Sequence, residues 1–101
     1  MIISISQKEL IKNKIREKLS SEEEIQKIVL FGSFAKSSEP NDIDIAIFQS
    51  STESYLSLAL KYRKLMREIA NMLPVDVIPL KTSATGFFLK EIELGETIYE
   101  K

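Results

Sequence analysis

Apolar residues recur along this chain at two spacings, and each spacing predicts a type of element. Residues 10–19 and 54–73 carry apolar side chains at intervals of three and four, which predicts a helix with one apolar face in each segment. Ser6-Gln7-Lys8-Glu9 has capping-box spacing and predicts the start of the first helix. Ser54 begins the second helix and Pro74 stops it. The predicted apolar faces comprise Leu10, Ile11, Ile15 and Leu19 in the first helix, and Leu58, Tyr62, Leu65, Met66, Ile69, Met72 and Leu73 in the second.

Three shorter segments have the pattern of β-strands. Residues 25–31 end in an apolar run that is typical of a strand buried on both faces. Residues 42–48 alternate, so one face carries three isoleucines and the opposite face carries two aspartates. Residues 75–80 form a third short strand, in which Pro79 indicates an exposed end or a sheet edge. The remaining predicted elements are short helices at 34–36 and 86–92, and either a last short strand or an extended tail at 97–99.

Composition narrows the chemistry that this chain can perform. The 101 residues are enough for one modest core, and we expect a single domain over residues 1–101. Hydrophobic residues make up 44% and charged residues 29%, as in ordinary globular proteins, and the net charge of −1 leaves no basic field for extended nucleic-acid binding. The absence of Cys and His excludes disulfides, thiol nucleophiles, zinc sites and histidine acid–base catalysis. Carboxylates, hydroxyls, lysines, backbone amides and an oxygen-ligated Mg²⁺ or Mn²⁺ remain.

The same composition gives an expectation about location. Residues 1–5 lack the basic leader and long apolar core of a signal peptide. No apolar run approaches the ~20 residues that a membrane helix requires. We therefore expect a cytoplasmic protein without a membrane partner.

The two aspartates of the 42–48 strand are a candidate metal site. Asp42 and Asp44 are two positions apart and point to one face, with Cα atoms roughly 6.5–7 Å apart. Their mutual repulsion becomes a binding site when a divalent cation is added. Asp76 lies between two valines, and it joins the same cluster if the 75–80 strand pairs beside the 42–48 strand. A solvated strand face and a protective edge charge are the alternative interpretations of these residues.

A Gly-Ser pair follows the buried 25–31 strand and is a candidate phosphate-binding turn. Gly32 permits close backbone approach, and the following amides and the Ser33 hydroxyl can face phosphate oxygens. Lys36, one helical turn later, can neutralise a triphosphate. A plain turn and a solvated lysine are the alternatives. The order of strand, Gly-Ser, loop, Asp-x-Asp strand, helix and Asp-bearing strand favours an enzyme that transfers a nucleotidyl group.

At these residues the chain resembles the nucleotidyltransferase superfamily of DNA polymerase β. Within it, the chain is most similar to the minimal nucleotidyltransferase (MNT) domains, which are often encoded beside a HEPN-domain protein. The resemblance rests on Leu30-Phe31-Gly32-Ser33-Phe34-Ala35, Asp42-Ile43-Asp44-Ile45, Val75-Asp76-Val77 and the closing Ile98-Tyr99-Glu100. It implies a small α/β (α+β) domain of the polymerase β-like nucleotidyltransferase fold, with helices packed on a mixed sheet.

The resemblance also implies roles for the candidate residues. Gly32 and Ser33 would hold the triphosphate of ATP or another nucleoside triphosphate, and Asp42 and Asp44 would bind Mg²⁺, with two ions expected. Asp76 would complete the catalytic and metal-binding triad. In this family the HEPN partner is an RNase toxin and the MNT domain is its antitoxin, through transfer of AMP from ATP to a tyrosine of the toxin.

The chain departs from the family pattern next to the phosphate-binding turn. Lys36-Ser37 stands where many relatives carry Arg-Gly, and the loop from Ser33 to Asp42 is short. A lysine supplies charge but not the bidentate fork of arginine, so weaker phosphate contacts are expected. We also expect none of the extra domains with which larger relatives bind tRNA, an antibiotic or a DNA primer. A protein partner is therefore the expected acceptor.

Other functions remain open at this point. The chain could be a non-catalytic antitoxin that neutralises its partner by direct binding, an alternative favoured by Lys36-Ser37 and the apolar pair Phe87-Phe88. Transfer onto a small molecule or an RNA end is a third hypothesis, which the charge balance disfavours. The sequence leaves open the nucleotide base, the acceptor and the choice between a homo-oligomer and a hetero-oligomer.

Overall fold

Helices and strands alternate along most of the chain. The structure is a computed structural model, and it describes residues 2–83 and 89–101. The elements are α1 (Ile5–Leu19), β1 (Ile25–Phe31), α2 (Ser33–Lys36), β2 (Ile43–Gln49), α3 (Tyr55–Leu65), α4 (Arg67–Ala70), β3 (Val75–Lys81), α5 (Leu89–Glu93) and β4 (Glu96–Glu100). Within the described residues, no helix is long and apolar enough to cross a membrane.

The strands form one mixed sheet in the order β3-β2-β1-β4. β1 runs antiparallel to both β2 and β4, whereas β2 and β3 are parallel. β3 therefore lies at an edge, as Pro79 predicts, and β4 confirms the strand expected at residues 97–99. The mixed sheet with helices packed on it confirms the predicted α+β fold class.

The two faces of the sheet bury different sets of side chains. The three isoleucines of β2 at positions 43, 45 and 47 are fully buried in the larger core, together with residues from α1, α3 and α4. The opposite face carries a smaller cluster that comprises Val29, Phe31, Ala46 and Ile92. Because successive side chains of a strand alternate between faces, Asp42 and Asp44 lie on the side of the smaller cluster.

The first helix begins two residues earlier than its sequence predicts. Ser4 is the N-cap: its hydroxyl accepts from Gln7 N–H at 3.1 Å, and Gln7 Oε1 accepts from Ser4 N–H at 2.8 Å. The predicted capping box that starts at Ser6 is therefore wrong. Tertiary contacts explain the earlier start of the helix. Ile3 N–H donates to Ser38 O at 2.8 Å, and the Ile3 side chain is only 4% exposed. These contacts fix the chain just before the helix.

The second predicted helix is divided at Met66. Met66 N–H donates to both Tyr62 O at 3.0 Å and Arg63 O at 3.2 Å, which tightens the turn and separates α3 from α4. Met66 itself stays buried, so the apolar face continues across the break.

Two residues that were predicted to lie on the apolar faces of helices are exposed instead: Leu10 is 55% exposed and Met72 is 45% exposed. The predicted helix at 86–92 is confirmed only from residue 89, and Phe87-Phe88 lies outside the described residues.

A buried tyrosine links α3 to the start of β1. The Tyr62 hydroxyl donates to Glu24 Oε2 at 2.9 Å, and Lys61 Nζ donates to the same oxygen at 2.9 Å. Burial by itself raises the pKa of Glu24, but hydrogen bonds from Lys61, from its own backbone and from Tyr62 outweigh that effect and hold the pKa below its ordinary value. Burial and the hydrogen bond to Glu24 raise the pKa of Tyr62.

Candidate functional site

Three carboxylates meet at the end of the sheet where β2 and β3 begin. One oxygen from each of Asp42, Asp44 and Asp76 lies within 4.8 Å of the other two. Asp42 comes directly before β2, Asp44 is its second residue, and Asp76 is the second residue of β3. The structure therefore brings together the three carboxylates that the sequence singles out.

The pairing of the strands explains how Asp76 reaches the other two aspartates. In the parallel β2–β3 ladder, Asp44 is directly opposite Asp76. On the other side of β2, Asp44 is opposite Phe31 of β1. Asp44 thus occupies the middle of the arrangement, flanked by a buried aromatic residue and by a second carboxylate.

The electrostatics of the cluster favour a cation. Burial, then the negative charge of Asp42, then that of Asp76 raise the pKa of Asp44 above its ordinary value. Asp42 and Asp44 are half-buried, whereas Asp76 is exposed. A cation bound between the three would remove the repulsion, and carboxylate oxygens are the ligands that hard divalent cations prefer. The donor set therefore fits a divalent metal.

Gly32 joins the Gly-Ser turn to this cluster. Its φ is +73°, a backbone conformation that residues other than glycine rarely adopt. A Cβ at this position would also collide with Asp44 Oδ2. Only glycine satisfies both requirements, so the backbone of the turn lies directly against the carboxylate of Asp44. The two sequence motifs form one site.

Ser33 is the first residue of α2, and its hydroxyl has a defined partner. Its Oγ accepts from Asn41 N–H at 3.3 Å, which connects the start of the loop to its end, immediately before Asp42. An oxygen that accepts this bond can still donate its own proton to a ligand. The orientation is therefore compatible with the predicted contact to phosphate.

Lys36 ends α2 and is exposed. Within residues 2–83 and 89–101, no hydrogen-bond or ion-pair partner is found for its ammonium group. The side chain is therefore available to an anion, and its role in phosphate binding stays a prediction.

The structure adds two features that sequence reasoning missed. Lys8 of α1 donates one hydrogen bond to Phe34 O of α2, across 26 residues of sequence, and another to the carbonyl of Ser37, the residue after α2. Next to the start of β3, a groove of about 550 Å³ is lined by Leu60, Arg63, Lys64, Arg67, Ala70 and Val75. No local sequence pattern predicts either feature. The contact of Lys8 joins residues far apart in sequence, and the cationic residues of the groove have the pattern of an ordinary solvent-exposed helix face.

Comparisons with known proteins agree with this geometry. A family model described as "Polymerase beta, Nucleotidyltransferase" matches residues 13–101. No curated protein gave a match. Among solved structures, a chain from the complex of tri-AMPylated Shewanella oneidensis HEPN toxin with MNT antitoxin is 27% identical, with a TM-score of 0.63 over 93% of this chain and 73% of that chain.

Two further solved structures are similar. A chain from a crystal structure of a toxin–antitoxin with AMP-PNP is 25% identical, with a TM-score of 0.64 over 89% of this chain and 73% of that chain. A chain from the MntA–HepT toxin–antitoxin crystal structure is 24% identical, with a TM-score of 0.63 over 92% and 73% of the two chains. At that identity, the last likeness shows a shared fold.

Proposed function

The chain belongs to the polymerase β nucleotidyltransferase family, and from this premise we propose that it transfers AMP from ATP to a hydroxyl of a HEPN-domain partner. A tyrosine is the proposed acceptor, and the modification would make the chain an antitoxin. The observation that carries the proposal is the direct approach of Gly32 to Asp44, which unites a phosphate-binding turn with a carboxylate cluster.

The carboxylates have distinct proposed roles. Asp42 and Asp44 would hold Mg²⁺, and Asp76 would complete the ligand set; two ions are proposed, with Mn²⁺ as a substitute. When bound, the metal would neutralise charge on the phosphates and on the leaving pyrophosphate. Asp76 would also accept the proton of the acceptor hydroxyl. In the transfer, the acceptor oxygen bonds to the α-phosphorus while the bond from that phosphorus to pyrophosphate breaks.

The proposed donor site comprises Gly32, Ser33 and Lys36. The backbone amides that follow Gly32 and the Ser33 hydroxyl would donate to phosphate oxygens, and Lys36 would supply positive charge. One similar complex contains an AMPylated HEPN toxin and another contains AMP-PNP, which supports ATP as the donor and a HEPN-domain protein as the acceptor. We further propose that residues 1–101 act as one nucleotidyltransferase domain in the cytoplasm.

A second candidate function is neutralisation by binding alone. Leu56 and Leu60 of α3 are 67% and 56% exposed, and Leu60 lines the same groove as Arg63, Lys64 and Arg67. Exposed apolar side chains beside a cationic groove are typical of a protein-binding surface. Such a surface would serve a catalytic antitoxin and a purely binding one equally well.

The experiment that tests the enzyme uses α-³²P-labelled ATP, CTP, GTP and UTP, each with Mg²⁺ and a lysate of the source organism. Wild type, Asp44→Asn and the matched control Glu39→Gln, an exposed carboxylate in the preceding loop, are compared. We expect label from ATP on one protein band with wild type and Glu39→Gln, and none with Asp44→Asn. Full labelling by Asp44→Asn would refute the assignment of the carboxylates.

The binding alternative has its own test. The double variant Asp42→Asn/Asp44→Asn is co-expressed with the partner, and both complex formation and partner activity are measured. If the complex forms but the partner remains active, neutralisation requires transfer. If the partner is silenced as by wild type, the binding alternative is correct.

A further inference from the structure

The N-terminal part of the chain holds α2 and the residues after it through three hydrogen bonds to backbone carbonyls. The Lys8 ammonium donates to Phe34 O at 2.7 Å and to Ser37 O at 2.5 Å. Ile3 N–H donates to Ser38 O at 2.8 Å. Together these bonds fasten α2 and the two residues that follow it to the beginning of α1.

α2 requires such support because it is a single turn. Its four residues are closed by one bond, from Ser37 N–H to Ser33 O at 2.8 Å, and one turn of helix is not stable by itself. Phe34 is fully buried and anchors one side of the turn. The ammonium of Lys8 lies 5.3 Å from the centroid of the Phe34 ring, so the cation contacts the anchor as well as the carbonyls.

The helix that carries Lys8, α1, is held firmly against the core. Ile11, Ile15 and Leu19 follow on the same side of α1 at helical spacing, and each is at most 1% exposed. α1 is therefore packed along its length on the core. A cation projecting from this side has a defined position relative to the sheet.

We propose that Lys8 is a positioning residue of the nucleotide site. It holds α2 so that Gly32 and Ser33 are in place before the donor arrives, and it acts through α2 rather than by touching the reacting atoms. The inference rests on the proposed function, which assigns phosphate binding to this turn. Lys8 precedes the segment that the family model matches, residues 13–101.

The consequence is a change in donor affinity. If the turn is correctly arranged only part of the time, the apparent dissociation constant increases by the inverse of that fraction. Lys8→Met keeps the aliphatic stem and removes the ammonium. We expect it to weaken binding of AMP-PNP with Mg²⁺ by about tenfold, a factor equivalent to ~1.4 kcal/mol. The KM for ATP should increase similarly, with little change in kcat at saturating ATP.

The experiment measures AMP-PNP binding to the purified full chain by calorimetry, together with amide hydrogen exchange over residues 33–38. The matched control is Lys14→Met, which removes another α1 lysine, one that is ion-paired with Glu68 at 3.1 Å. We expect weaker binding and faster exchange for Lys8→Met alone. Lys8→Arg should restore binding, because a guanidinium also donates to two carbonyl oxygens.

Three results would decide against the inference or its premise. Wild-type affinity in Lys8→Met, or equal weakening in Lys14→Met, overturns the role of Lys8 and leaves the proposed function intact. Absence of AMP-PNP binding to wild type overturns the proposed donor site itself. If Lys8→Met does not fold fully, Lys8→Gln, which keeps a donor without the charge, replaces it in the same comparison.

Discussion

In the metal-free protein, repulsion within the carboxylate cluster should lower the free energy of unfolding. Asp44→Asn tests this directly. The substitution keeps the shape of the side chain and removes the central charge, which lies within 4.8 Å of two other carboxylates. Each pair of unit charges at that distance repels by ~1 kcal/mol in water and ~3.5 kcal/mol at an effective dielectric constant of 20. Because Asp76 is exposed and Asp42 is half-buried, solvent screening favours the lower value.

Asp44 takes part in two such pairs, so we expect Asp44→Asn to stabilise the metal-free protein by about 2 kcal/mol, which corresponds to a Tm increase of about 8–16 °C for a domain of this size. The assay is thermal unfolding followed by circular dichroism, first in EDTA and then in millimolar MgCl₂. Mg²⁺ should raise the Tm of wild type more than that of the variant, because the variant lacks one of the proposed metal ligands. Glu39→Gln should match wild type in both buffers. An Asp44→Asn protein that is no more stable than wild type in EDTA would refute the proposed repulsion.

Two further predictions concern the turn and the α3 junction. Gly32→Ala should lower the Tm and abolish labelling, because a residue with a side chain in this positive-φ, extended conformation costs ~1–3 kcal/mol and its Cβ would displace Asp44. Normal labelling by a folded Gly32→Ala protein would contradict the site. Glu24 has a folded-state pKa below its ordinary value of 4.5, so its contribution to stability is present above that pH and is lost as the pH falls through the folded-state pKa. Urea unfolding at a series of pH values should show a shallower acid decline for Glu24→Gln, and an unchanged decline would exclude this role.

Local pattern was sufficient to predict most elements and the starts of β1 and β3, but not the start of α1 or the division between α3 and α4. Ser4 and Ser6 both have a Glu or Gln three residues later, so the capping signal occurs twice within a few residues. The contact of Ile3 with Ser38 determines which one is used, and that contact joins segments far apart in sequence. The division at Met66 is similar, because neither Gly nor Pro marks it.

The same distinction applies to the candidate site. Asp42 and Asp44 share a face because strand geometry is local, so their pairing could be predicted without the fold. The approach of Gly32 to Asp44 depends on the β1–β2 register, in which Phe31 is opposite Asp44. The support of α2 by Lys8 could not be predicted, since the contact spans 26 residues and leaves no repeating pattern.

The position of β3 at the sheet edge gives Asp76 an environment different from that of its two neighbours. Asp44 has a strand on each side and is half-buried, which suits a ligand that must be held in place. Asp76 lies on the outermost strand and is exposed, although it is directly opposite Asp44. Under the proposed function, Asp76 is therefore the carboxylate most accessible to an acceptor hydroxyl, which agrees with its proposed role as proton acceptor.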